Sequence, residues 1–438
     1  MAFGYTKISP ENFYREKSMV NKKILDRQLP HLPREIKFCK RCVISNQRPR
    51  IHFDEEGICG ACRFSERKNK IDWSEREKML QDLCDRFRSK DGKFDVIVPA
   101  SGGKDSARVA HELKYKYGMH PLTVTYAPFE YTPEGYENFR NFLNIGGFNN
   151  LMAWQNGRFH RKLARLCFEA LGDAWQAFTF GQVCYAFHIA LRFGIKLVFF
   201  GENGEAEYSG DPRVFDLSGM PVEAWAEQYF KGVTVDDVIT YGLEETDYFT
   251  EKDFDESDLT FYRIPDVEAM TKLGIQFHWF SYYKKWVPQE NYYYATEHTG
   301  FKCNPVGRSE GTYSKYASLD DQMDGFHYYL AFIKFGIGRA TSDAAHEIRD
   351  GHFTREEGVA LVKRFDGEFP KRWFREHLNY LGITEEQFWD TIDKFRQPHI
   401  WKYEGGYWKL RSAVYDEEGT SEEIPIYISS LPARARNC

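Results

Sequence analysis

From residue 94 the chain alternates short apolar runs with segments of helical periodicity, and this alternation restricts its fold more than any other feature. FDVIVPA reads as a buried strand, and DSARVAHELKYKYG as a helix with Val109, Leu113 and Tyr117 on one side and Gly118 at its end. PLTVTYA, the helix PEGYENFRNFLNIGG and the strand NLMAWQN follow. Two helices, RFHRKLARLCFEALG and QVCYAFHIALRFG, then lead to a fourth strand, IKLVFFGEN. Strands alternating with helices of this length predict an α/β fold, a parallel sheet with helices on both faces. Such sheets bind ligands at the carboxyl ends of their strands. The loops after the first, second and fourth strands are therefore where chemistry is expected.

Three regions are expected: an arm, cysteine-bearing block and linking helix (1–90), the α/β domain (91–215) and an aromatic, mainly helical region (216–438). The linking helix, DWSEREKMLQDLCDRFRS, carries Met79, Leu80, Leu83, Cys84 and Phe87 at helical spacing, with Asp72 or Ser74 as its cap. An aromatic share of 17% is not that of a disordered chain. Net charge is −6, and Asp236 to Asp258 holds ten acidic side chains and one lysine, read as a solvated face. Bulk electrostatics thus disfavours a nucleic-acid partner. The start, MAFGYTKISPENFYREK, lacks the layout of a secretory signal, and no run of ~18 apolar residues occurs, so no membrane span is expected. A cytoplasmic location follows as the default, with thiols or metal ligands rather than disulfides.

Ser101, Gly102, Gly103, Lys104, Asp105 and Ser106 join the first strand to its helix. Two glycines let backbone N–H groups approach an anion, and the helix start adds partial positive charge. The serine hydroxyls can donate to phosphate oxygens and Lys104 can neutralise one. This is not a Walker loop, because Val98 and Asp105 stand where that pattern needs Gly and Ser or Thr. Gly336-Ile-Gly-Arg-Ala-Thr341 lacks the third glycine of a dinucleotide fingerprint. After the fourth strand, Glu202 and Glu207 flank a glycine-containing turn. They are suited to bind magnesium or to accept a proton, and equally to be exposed loop acids.

Cys39-x2-Cys42, 16 residues, then Cys59-x2-Cys62 fits a four-thiolate zinc knuckle, with Gly57 and Gly60 easing the second turn. Four thiolates fill a tetrahedron, which favours a structural ion; an iron–sulfur cluster has the same spacing. Cys167, Cys184, Cys303 and Cys438 have no partners at metal spacing, and Cys184 lies on a helix expected to face the site.

The string SGGKDS resembles the PP-loop of ATP pyrophosphatases, the S-G-G-x-D-S signature. FCKRCVIS…GICGAC, VPASGGKDS, the 307–321 segment GRSEGTYSKYASLDD and the 327–351 segment HYYLAFIKFGIGRATSDAAHEIRDG together resemble one branch of it. That branch is the N-acetyl sugar amidotransferases of bacterial surface-polysaccharide biosynthesis, and the likeness covers nearly the whole chain. The resemblance implies ATP held at residues 101–106 with Mg2+ at Asp105, cleavage to AMP and pyrophosphate, and the second strand's end, Tyr126, against adenine. It implies adenylation of the acetamido oxygen of an N-acetylated sugar, often a sugar nucleotide, and displacement of AMP by ammonia to form an acetamidino group. Ammonia would come from a separate glutaminase subunit, since this chain carries no glutaminase signature. Oligomeric state stays open, a homo-oligomer included.

Arg308, Lys315, Arg339, His346 and Arg349 form a basic set suited to an anionic sugar, although each singly could be an ion-paired surface residue. His327 reads as a satisfied core histidine, and Asp320, Asp321 and Asp324 as partners of these cations or helix caps. The rival reading is a PP-loop tRNA sulfur-transfer enzyme, which needs a basic tRNA surface.

Overall fold

The computed structural model describes residues 24–219 and 230–416; the start of the expected arm, the charged tail and Cys438 lie outside them. Strands β1 (Val96–Pro99), β2 (Pro121–Tyr126), β3 (Asn149–Ala153), β4 (Leu197–Phe200) and β5 (Gln276–Trp279) form one sheet, ordered β3-β2-β1-β4-β5. Every neighbouring pair is parallel.

The first four strands fall where the apolar runs predict them. β5 corrects the reading that the repeat stops near residue 215: it pairs with β4, Leu197 opposite Gln276 and Phe200 opposite Trp279. The sheet therefore draws its edge strand from the region expected to be helical.

Alternation along the strands divides the core. Val96, Val98, Leu197 and Phe199 face one apolar cluster, while Ile97, Leu122, Val124 and Val198 face the other. Apolar side chains thus cover both faces of the central strands, as a parallel sheet requires. In chain order the helices are α1 (Gly60–Lys68), α2 (Trp73–Phe87), α3 (Lys104–His111), α4 (Pro133–Asn144), α5 (Gly157–Leu171) and α6 (Gln176–Phe193). α7 (Val235–Glu245), α8 (Val267–Leu273) and α9 (Pro288–Thr299) follow. α6 covers the Ile97 face; α3 and α9 pack together on the other. Asp72 caps α2 as expected, accepting from the N–H groups of Ser74 and Glu75.

The carboxyl-terminal region is mainly helical: α10 (Asp324–Phe335), α11 (Arg339–Asp350), α12 (Arg355–Phe365), α13 (Phe374–Leu381) and α14 (Glu385–Asp393), then the hairpin β6 (Trp401–Glu404) and β7 (Tyr407–Leu410). No helix among the described residues is long and apolar enough to cross a membrane. Strand order reverses at β1, which has β2 on one side and β4 on the other, so a crevice opens at the carboxyl ends of β1 and β4.

Candidate active site

The 101–106 loop leaves β1 at that reversal. Gly102 has φ +87°, and a Cβ there would stand 2.5 Å from the Phe139 backbone, so the loop lies flat against α4 and only glycine fits. The Gly103 N–H donates to Ser101 Oγ at 3.2 Å, and Ser106 Oγ donates to Gly103 O at 3.2 Å. The start of α3 adds N–H groups without helical acceptors and partial positive charge. Lys104 pairs with Asp105. Asp105 Oδ1 also accepts from Asn291 Nδ2 at 2.8 Å, and Asn291 in turn accepts from Arg108 at 2.6 Å.

A cavity of about 340 Å³ stands over these groups, and a second of about 460 Å³ continues from it. Lys104, Asp105, Glu202, Tyr316 and Arg339 line both. The distinctive 307–321 segment forms part of the roof. Asp321 ties it down by accepting from the N–H groups of Phe129 at 2.6 Å and Met323 at 2.8 Å. A Cβ on Gly135 would lie 2.5 Å from Asp320 O, so glycine permits this close crossing. Tyr316 and Asp320 thereby reach the loop: Lys104 Nζ is 5.5 Å from the Tyr316 ring centre.

Negative charge at the cavity is poorly balanced. Burial, then the nearby charge of Asp105, pushes the Glu202 carboxyl up to about 7, with Lys104 only partly offsetting them. Burial, then Asp324 and Asp105, pushes Asp320 up to about 6 against a hydrogen bond from Ser101. A phosphate-borne divalent cation would relieve this crowding.

The Tyr208 hydroxyl donates to Glu202 Oε1 at 3.4 Å, and the His346 ring meets Tyr208 edge-on at 4.7 Å. His346 Nε2 is buried without a hydrogen-bond partner among the described residues. Burial, then Arg349 and Lys68, holds this imidazole well below its ordinary pKa, so it stays neutral. Arg339 lies 3.0 Å from Asp343 and 4.2 Å over the Tyr328 ring.

Of the residues singled out in the sequence, Ser101, Gly103, Lys104, Asp105, Ser106, Tyr126, Glu202, Arg339 and His346 line the cavities. Gly102 shapes the loop behind them. Tyr126 backs closely onto α6, where a Cβ on Gly181 would lie 2.0 Å from its ring. Four other candidates are elsewhere. Glu207 is locked in a buried pair with Lys68, both oxygens at 3.0 Å. Arg308 grips Glu368 at 2.6 and 2.9 Å. Lys315 is exposed above the Tyr292 ring, and Arg349 donates to Glu207 O at 3.1 Å. Charge alone does not tell a ligand-facing arginine from one with a partner tens of residues away. Cys184 does not face the site either; it is buried in the core, its thiol pushed up by burial.

His327 is more than a core residue. It lines the second cavity, its Nδ1 2.9 Å from Asp173, which also holds Lys231 at 2.6 Å. The sequence reading omitted Asn291, Tyr208, Trp175 and Tyr328. Tyr208 shares the strand-end loop with Glu202 and could have been found from that position. Asn291 carried no signal, since nothing local distinguishes a helical asparagine that reaches a distant loop.

The four cysteines converge as their spacing predicts. All are 0% exposed, and their sulfurs lie within 4.8 Å of one another. The N–H groups of Arg41, Cys42 and Cys59 donate to Cys39 Sγ at 3.3–3.5 Å. Four buried sulfurs in this arrangement fit a tetrahedral ion such as zinc. The module is joined to the site's back wall: a Cβ on Gly60 would lie 2.2 Å from Gly210 O, so two glycine backbones touch just after the Glu202 loop.

No curated protein matches the chain. Residues 310–415, which contribute Tyr316, Asp320, Arg339 and His346 to the cavities, match the model of the LPS biosynthesis protein WbpG-like C-terminal domain.

Proposed function

We propose that the protein is an ATP-dependent amidotransferase of surface-polysaccharide biosynthesis, acting on the acetamido group of an N-acetylated sugar carried on a nucleotide. The observation that carries the reading is that the 101–106 loop, Glu202 and, from the WbpG-like region, Arg339 line the same two confluent cavities.

In this reading the nucleotide phosphates lie on the 101–106 loop, with the base toward Tyr126. The acetamido oxygen attacks the α-phosphorus, and the α–β anhydride bond breaks. Ser101, Ser106, Lys104 and the N–H groups at the start of α3 stabilise the charge that develops on departing pyrophosphate. Ammonia then adds to the activated carbon, the C–O bond breaks, and AMP leaves with the former acetamido oxygen. Glu202, with a pKa near neutrality, takes the proton that nitrogen must lose. Magnesium, held by Asp105 and Asp320, would supply further charge neutralisation at the phosphates. The cysteine module would hold zinc structurally, and a glutaminase partner would supply ammonia in the cell.

The test is to incubate purified protein with ATP, magnesium, ammonium and a panel of nucleotide-linked N-acetyl sugars. AMP and pyrophosphate should form together with a sugar product in which NH replaces one oxygen. Release stimulated by tRNA instead of by any sugar would favour the sulfur-transfer rival.

A further inference from the structure

Beside the second cavity lies a third space, of about 500 Å³, which no step above uses. Arg27, His31, Arg48, Arg50 and Lys231 line it, and among the described residues no aspartate or glutamate does. In a chain of net charge −6 this is a local reversal of sign. Arg48, Arg50 and Lys231 also line the second cavity, so the two spaces share a wall.

The cations are placed rather than scattered. Glu205 fixes Arg50 at 2.7 Å and Asp173 fixes Lys231 at 2.6 Å. Both residues have left-handed backbone, φ 62° and 57°, a conformation disfavoured for residues that carry a Cβ. With Ser318, which lines the first cavity, they are the non-glycine residues of positive φ among the described residues, and strain of this kind gathers at functional sites.

Arg48 differs from its neighbours. Its Nε donates to Ser209 Oγ at 3.4 Å and its guanidinium sits 5.3 Å over the Tyr208 ring, with no ion pair to a carboxylate among the described residues. Burial, with Arg50 and Arg349 nearby, holds it below its ordinary range, and Glu205 only partly offsets this. It is a half-buried cation whose charge no carboxylate among the described residues pairs with directly. Arg27 is exposed on the same wall, its side chain lying across Gly232, where a Cβ would meet it at 3.2 Å.

We propose that this chamber is a second anion site, separate from the 101–106 loop, in which Arg48 and Arg27 bind the diphosphate of the substrate's carrier. A planar guanidinium matches phosphate oxygens in pairs, and among the described residues the carboxylates nearest the chamber, Glu205 and Asp173, are already paired with Arg50 and Lys231. Tyr208 lies between Arg48 and Glu202, so a molecule anchored here extends across the shared wall toward the reacting centre. The identity of that other end rests on the amidotransferase reading; the anion site does not.

The experiment is calorimetric titration of the full chain with UDP and with inorganic pyrophosphate, the 101–106 loop being saturated beforehand by a non-hydrolysable ATP analogue. UDP should bind, and Arg48→Gln or Arg27→Gln should each weaken it about tenfold or more, as expected for loss of a charge-assisted hydrogen bond. Affinity for the ATP analogue should change less than about twofold. UDP binding tighter than pyrophosphate identifies a nucleotide carrier; equal binding, still lost in the variants, identifies a diphosphate on a different carrier, such as a lipid. Arg27→Gln leaves the packed interior untouched and keeps the test open if Arg48→Gln fails to fold. Absence of binding, or binding unchanged in both variants, overturns the proposal. Arginine-dependent binding in a protein that never releases AMP would retain the site and remove the amidotransferase reading.

Discussion

Lys68 Nζ lies 3.0 Å from both carboxylate oxygens of Glu207 and donates to Trp286 O at 2.9 Å, with each charged side chain 5% exposed. This buried pair joins α1 of the cysteine module to the loop that carries Glu202. Removing one partner strands a charge in the interior, which costs about 3–5 kcal/mol. Glu207→Ala is therefore expected to lower the melting temperature sharply. Glu202→Gln should leave it nearly unchanged and reduce AMP release by about 10²–10⁴-fold. Calorimetry and a turnover assay on the two variants separate the roles.

Asp105 should behave as a site residue held from a distance. Asp105→Asn is expected to abolish AMP release with the fold intact. Asn291→Ala frees Asp105 Oδ1 and leaves Arg108 with Glu112 as its remaining hydrogen-bond acceptor, and should raise the KM for ATP about tenfold through a lost hydrogen bond to a charged group. Steady-state kinetics at varied ATP checks both.

The pH dependence has a defined sign. Glu202 titrates in the folded protein near 7, above the ordinary carboxylate range, so between those values the native state binds a proton that the unfolded chain does not. Stability from this group is present at low pH and is lost as pH rises through about 7. Activity runs the other way: the base form appears as pH rises, giving a rate limb near pH 7. Glu202→Gln should remove that limb from the kcat/KM profile. Asp320, near 6, adds a second loss of stability at slightly lower pH.

Much of the fold was legible because buried parallel strands leave apolar runs, as β1, β2 and β4 do, and the part-exposed edge strand β3 still carries Leu151, Met152 and Ala153 in succession. β5 leaves no such run: of its four residues, QFHW, one is exposed, two are half-buried and one is buried, and their place beside β4 is set by a return from beyond α8. The 101–106 loop and the cysteine knuckle were legible because their chemistry needs fixed local spacing. Long-range pairing was not. Arg308 and Arg339 look alike in sequence, yet one is claimed by Glu368 and the other reaches the cavity. Asn291 and Arg48 became visible only once distant segments met.

The cysteine module should be required for the site as well as for stability. Arg355 donates to Cys42 O at 3.2 Å, and the Gly60–Gly210 contact ties the knuckle to the Glu202 loop. Elemental analysis is expected to find one zinc per chain. Cys42→Ser or a strong chelator should lower the melting temperature and activity together. Unchanged stability after metal removal would detach the module from this role.

The most direct test follows the phosphorus of ATP labelled at the α position, with ammonium and a nucleotide-linked N-acetyl sugar present. Label recovered in AMP, with one pyrophosphate per acetamidino sugar, is the expected result. Label recovered in ADP, or turnover that continues unchanged in Asp105→Asn, would contradict the assignment of the 101–106 loop to a departing pyrophosphate.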